Sequence, residues 1–156
     1  EDREGDIPGS ISHIAPDPYD PDFKIEHVIE KISRKNVEIK RLLLDQSLIS
    51  GIGNIYADEA LFRAKIHPRS HGLHLSRRQI RTLLKAARSV MDEALAVGGT
   101  TFDELFVNVN GESGYFEREL AVYQRHGQPC LVCGTPVQRE SFANRGSHFC
   151  PHCQPI

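Results

Sequence analysis

No stretch of this 156-residue chain is apolar for the ~18–20 residues that a membrane-spanning helix needs. Its N-terminus lacks the basic, apolar and small-residue zones of a secretory signal, and it opens on Glu1 rather than Met, as a trimmed product or a part of something longer would. Internal repeats and low-complexity tracts are absent, which excludes solenoids and compositionally biased tails. Cysteine is missing from the first 129 residues, so the scattered pattern of a secreted disulfide scaffold is excluded as well. A strong charge of either sign is also lacking: the formal net charge is −2.

That small net charge averages two unlike parts. Residues 1–30 hold nine acids against two bases, whereas the remainder carries 17 Lys/Arg against 12 Asp/Glu. An acidic leader therefore precedes a mildly basic body, and the body can build a local footprint for a polyanion. At 39% hydrophobic, the chain can form one ordinary domain, or a modest domain with a small appendage.

Prolines 16, 18 and 21 bar helix from "APDPYDPDF", so residues 1–23 read as an extended, acidic lead-in or linker. Ile25, Val28, Ile29 and Ile32 then recur with helical spacing. A second helix is expected over 36–46, with Ile39, Leu42 and Leu43 on one face, and a third over 54–65, ended at Pro68. The clearest helix runs over 77–97, opened by a Ser76–Gln79 capping box and stopped by Gly98-Gly99. Another helical turn is expected at 100–106, then a loop feeding a short strand over 107–123.

The stretch "SGIGNIYADEALF" (50–62) places two glycines and an asparagine directly before a helix. Helix N-termini present unpaired N–H groups and partial positive charge, and missing β-carbons let an anion approach them. Asn54 suits an N-cap or a side-chain donor to that anion, and Arg34, Lys35 and Lys40 can add cations. A tight αα-corner with a solvated basic face would use the same residues.

All four cysteines form two Cys-x-x-Cys pairs, Cys130/Cys133 and Cys150/Cys153, sixteen residues apart. That spacing is the mark of a β-hairpin zinc ribbon, in which four thiolates surround one structural Zn²⁺ and leave no open position for chemistry. His148 and His152 are alternative ligands, and a redox dithiol is the alternative use of the thiols. Arg145 falls close to the hairpin tip, where a guanidinium suits groove insertion or a phosphate clamp.

Taken together, "LLLDQSLISGIGNIYADEALFRAKIHP", "NVNGESGYFERELAVYQRHGQPC" and the "NRGSHFCPHC" finger resemble formamidopyrimidine-DNA glycosylases, from about residue 13 to the C-terminus. The resemblance implies a mainly α fold: a helix–two-turn–helix domain over 24–123, then a zinc-finger β-hairpin over 124–156. It implies that double-stranded DNA, damaged or abasic, is the partner of a monomeric protein of the bacterial cytoplasm, associated with the nucleoid. Asn54 would bond the phosphate beside the lesion, with Gly53 and Tyr56 in the same turn and Arg34, Lys35 and Lys40 on the adjoining backbone. Arg145 would grip the phosphates flanking the lesion and take part in elimination. Tyr115 belongs to "NGESGYFE", which resembles the loop that closes over an everted purine.

The family's glycosylase and abasic-lyase chemistry starts from an N-terminal proline followed by Glu, in a β-sandwich domain that also supplies an assisting Lys. This chain opens "EDREGDIPGSI", so the expectation is a DNA-binding part that grips without cutting. A naturally shortened, non-catalytic binder of damaged DNA is the alternative, and an RNA-binding, ribosome-associated protein is a third reading.

Overall fold

The computed structural model describes residues 14–96 and 120–156. Among these, four helices precede a hairpin: α1 (Ile25–Ser33), α2 (Ile39–Leu43), α3 (Asn54–Ala64), α4 (Arg77–Ala96), β1 (Gln138–Phe142) and β2 (Arg145–Phe149). A single 3-10 turn, Gly72–His74, lies between α3 and α4. The expected turn at 100–106, the Gly98-Gly99 stop and the loop near 107–118 with Tyr115 lie outside the described residues.

α1 buries Val28, Ile29 and Ile32, the face that the periodicity predicts. α4 buries Ile80, Leu83, Leu84, Ala87, Val90, Met91 and Ala94, again one stripe. Its capping box is formed: Ser76 N–H donates to Gln79 Oε1 at 2.8 Å, and Gln79 N–H to Ser76 Oγ at 3.0 Å.

α2 is shorter than the 36–46 helix that the spacing predicts. Residues 35–38 pair with a distant segment instead: Gly72 N–H donates to Val37 O, Leu73 N–H to Lys35 O, and Glu38 bridges His71. After Leu43 the Asp45 side chain captures Ser47 through both N–H and Oγ, which turns the chain. α3 ends at Ala64, well before Pro68, because Lys65 adopts a left-handed conformation (φ 61°). Lys65 N–H then donates to Phe62 O and Ile66 N–H to Leu61 O, a Schellman closure.

Residues 14–23 are docked on the helices, which corrects their reading as a linker. Ala15 N–H donates to Gln46 O at 2.8 Å, and the Arg88 guanidinium donates to Pro18 O at 3.1 Å while covering the Tyr19 ring. Tyr19 also hydrogen-bonds Asp92 through its hydroxyl. Residues 120–123 form no strand.

The main core joins α1, α2, α4 and one side of α3. Phe62 of α3 belongs to a second core with Val122, Val137, Cys130 and Cys150. α3 is therefore the pedestal between the helical part and the finger, and every residue from Asn54 to Phe62 is buried. A helix buried on all sides must satisfy its polar residues internally. Asp58 and Glu59 do this toward the finger, and Asn54 does so through its Nδ2 alone.

Candidate nucleic-acid interface

The two glycines before α3 have different causes. Gly51 sits at φ +90°, and a β-carbon there would lie 3.3 Å from Asp17 Cβ, so its role is to close the corner against the lead-in. Gly53 is the N-cap, in extended conformation, and supplies no side-chain cap. Helix N-termini favour anions through the N–H groups of their first turn. Asn54 is consequently not the N-cap. Its Nδ2 donates to the Gly146 carbonyl at 3.0 Å, while its buried Oδ1 has no hydrogen-bond partner among the described residues.

Lys40 also departs from expectation. It is fully buried, with Nζ 2.8 Å from Asp58 Oδ1 and donating to Gly146 O at 3.1 Å, and it lies over the Phe142 ring. Burial pulls its pKa down and Asp58 opposes that shift. The ammonium thus braces the finger from inside and does not stand at the surface, which corrects its assignment as a phosphate contact. Tyr56 is likewise a core residue rather than a surface contact. Arg34 and Lys35 are exposed, and Arg34 pairs with Glu30 one turn back on α1.

The finger is a hairpin in the register Gln138↔Phe149 to Phe142↔Arg145. Ala143 (φ 47°) and Asn144 (φ 68°) make its two-residue turn, both left-handed as a type I′ turn requires. Arg145, the first residue of β2, is exposed, whereas its neighbour Gly146 is buried against Lys40 and Asn54. An exposed guanidinium and the start of α3 are thereby tied to one carbonyl.

Two carboxylates secure the finger. Asp58 Oδ2 accepts the His148 main-chain N–H at 3.0 Å and lies 3.0 Å from His148 Nδ1. Glu59 accepts three successive N–H groups, from Ala121, Val122 and Tyr123, at 2.8–2.9 Å. Burial raises the Glu59 pKa and those three donors oppose the rise. At the far end Gln154, fully buried, accepts from Cys150 N–H and donates to Ile66 O. Sequence reasoning missed all three. For Asp58 and Glu59 the available signal was two carboxylates in the mostly apolar stretch 55–62.

The four sulfurs converge: Cys130–Cys153 are 3.8 Å apart, Cys133–Cys150 are 3.5 Å apart, and all lie within 4.8 Å of one another. Zn–S bonds of about 2.3 Å in a tetrahedron require sulfur separations of about 3.8 Å, so the set fits Zn²⁺. Val132 N–H donates to Cys130 Sγ and Cys153 N–H to Cys150 Sγ, the backbone support that thiolates need. The Thr135 hydroxyl and N–H bring the Cys133 thiol down to about 6, whereas burial and the neighbouring thiols push Cys153 up to about 12. Four thiolates this close repel, and a dication offsets that repulsion. His148 is committed to Asp58 and His152 is exposed, so the ligand set is the four cysteines.

A helix–two-turn–helix scaffold carrying a tetrathiolate hairpin, with an exposed arginine beside a helix start that has no side-chain cap, defines a helical domain bearing a zinc-ribbon finger. Comparison with known families agrees. The formamidopyrimidine-DNA glycosylase H2TH domain matches residues 14–105, and the zinc finger found in formamidopyrimidine-DNA glycosylase and isoleucyl-tRNA synthetase matches residues 127–156. The formamidopyrimidine-DNA glycosylase of Thermobifida fusca is 60% identical over 149 residues, covering 96% of this chain and 50% of that protein. Among solved structures, the Lactococcus lactis enzyme in complex with abasic-site DNA superposes with a TM-score of 0.80 at 35% identity, over 94% of this chain and 53% of that one. The Thermus thermophilus protein gives 0.78 at 40% identity, over 92% and 54%.

The chain belongs to the formamidopyrimidine-DNA glycosylase family, and it spans about half the length of the curated relatives it matches. No helix among the described residues is long and apolar enough to cross a membrane.

Proposed function

We propose that this chain is the DNA-gripping part of a base-excision-repair glycosylase that acts on oxidised purines, and that by itself it binds damaged or abasic duplex DNA without cleaving it. One observation carries the reading: the Gly146 carbonyl receives Asn54 from the start of α3 and lies next to the exposed Arg145. Backbone N–H groups of α3 and the Arg145 guanidinium then engage neighbouring phosphates, contacts that fix position rather than sequence. Exposed Lys35 and Arg34 extend the same path. Association with the nucleoid and action as a monomer are part of the same proposal.

Lyase chemistry needs an amine that reaches the sugar C1′. Among the described residues the buried amine nearest the grip is Lys40, and it is committed to Asp58 and Gly146. On this reading a separate catalytic domain supplies the nucleophile, as in the family the chain resembles, and Tyr115 with residues 107–118 contributes the cap over an everted base.

Anisotropy titrations with an abasic-analogue duplex, the intact duplex and a structured RNA test this reading. The expected order of affinity is abasic duplex, then intact duplex, then RNA. RNA binding as tight as abasic duplex would replace the reading with an RNA-binding one.

A further inference from the structure

A two-stranded hairpin alone is marginal in water, so the tip of this finger takes its shape from what lies beneath it. Beneath it are Lys40 of α2 and Asn54 of α3, both donating to Gly146 O, and Asp58 of α3, holding the N–H and ring of His148. Asp58 joins α2 to β2: one oxygen holds Lys40, the other His148. Lys40 and Asp58 are both fully buried. As a stabiliser, a buried ion pair is weak against an apolar pair of equal volume. What an apolar pair lacks is a donor for Gly146 O and an acceptor for His148 N–H. These two groups flank Ser147 on β2 and begin one residue after Arg145.

We propose that Asp58 is a positioning residue for Arg145: by pressing Lys40 against Gly146 and holding His148, it sets the finger arginine beside the N-terminus of α3. The consequence for DNA rests on the grip described above. The ordering of the finger tip does not.

The test uses the zinc-loaded chain and a duplex carrying a tetrahydrofuran abasic analogue. Asp58→Asn keeps the volume but places an amide N–H₂ against either Lys40 or His148. Affinity falls about tenfold, the loss of one charge-assisted hydrogen bond, with one zinc per chain retained. In an Arg145→Ala background the same change costs less than about twofold, because the group it positions is gone. A full tenfold loss in that background overturns the proposal.

Lys40→Met combined with Asp58→Asn removes both buried charges and guards against a variant that fails to fold. The pair is expected to recover the parent melting temperature while affinity stays low, since Gly146 still lacks its Lys40 donor. Recovery of affinity together with stability reduces the pair to mutual compensation and overturns the proposal. Backbone ¹⁵N relaxation at Arg145 and Gly146 needs no DNA: Asp58→Asn raises fast motion there, and unchanged order parameters overturn the assignment. If the parent chain binds no duplex, the DNA reading fails while the relaxation result still decides the role of Asp58.

Discussion

Glu59→Gln is the sharpest probe of how the finger is carried. Glu59 Oε1 accepts Ala121 N–H, and Oε2 accepts both Val122 and Tyr123 N–H. A glutamine of the same shape keeps its carbonyl oxygen where two donors converge and turns its N–H₂ toward the Ala121 N–H. One charge-assisted hydrogen bond is lost and two donors, the Ala121 N–H and the new amide, are left facing each other, a cost of about 1.5–3 kcal/mol. The neutral amide is easier to bury than a carboxylate whose pKa burial already raises, so the lower part of that range applies. A loss of about 2 kcal/mol lowers the melting temperature by about 4–8 °C in a chain of this size. The assay is thermal unfolding by circular dichroism on zinc-loaded protein, with zinc content measured in parallel. A shift under about 1 °C with zinc intact would refute the clasp, since three hydrogen bonds to one buried carboxylate cannot be exchanged without consequence.

Cys150→Ser releases zinc, as measured by a chromogenic chelator, and DNA affinity falls with it; binding that survives metal loss unchanged removes the finger from the interface. Arg145→Ala leaves zinc bound, lowers affinity by about 1–3 kcal/mol, and reduces the slope of log K against log salt by about 0.9, one phosphate contact. His67 is buried against Phe149, and its pKa is held below the ordinary 6.5 by burial. Below pH 6.5 the unfolded chain takes up this proton first, so stability falls from about pH 6.5 downward toward the lower folded pKa. His67→Asn keeps an acceptor for Arg69 N–H, and denaturant unfolding at pH 5 and 7 will show a smaller acid loss than the parent does.

The parts legible in the sequence are those set by local rules. α1 and α4 follow from apolar periodicity, the start of α4 from its capping box, and the zinc ligands from cysteine spacing. The parts that were not legible depend on distant partners. α2 is cut short because residues 35–38 pair with 71–73. The lead-in looks like a linker until Arg88, seventy residues on, binds Pro18. Lys40 reads as a surface cation because nothing local announces Asp58 or the Gly146 carbonyl, 106 residues away. The glycine pair divides in the same way: Gly51 answers to the fold, and Gly53 to the open start of α3.

The central claim, a grip on damaged DNA that does not cut, is tested most directly by borohydride trapping on a duplex with a single abasic site, alongside a binding titration of that duplex. Saturable binding and no covalent adduct are expected. An adduct would show that an amine of this chain reaches the sugar, and would make the chain a lyase in its own right.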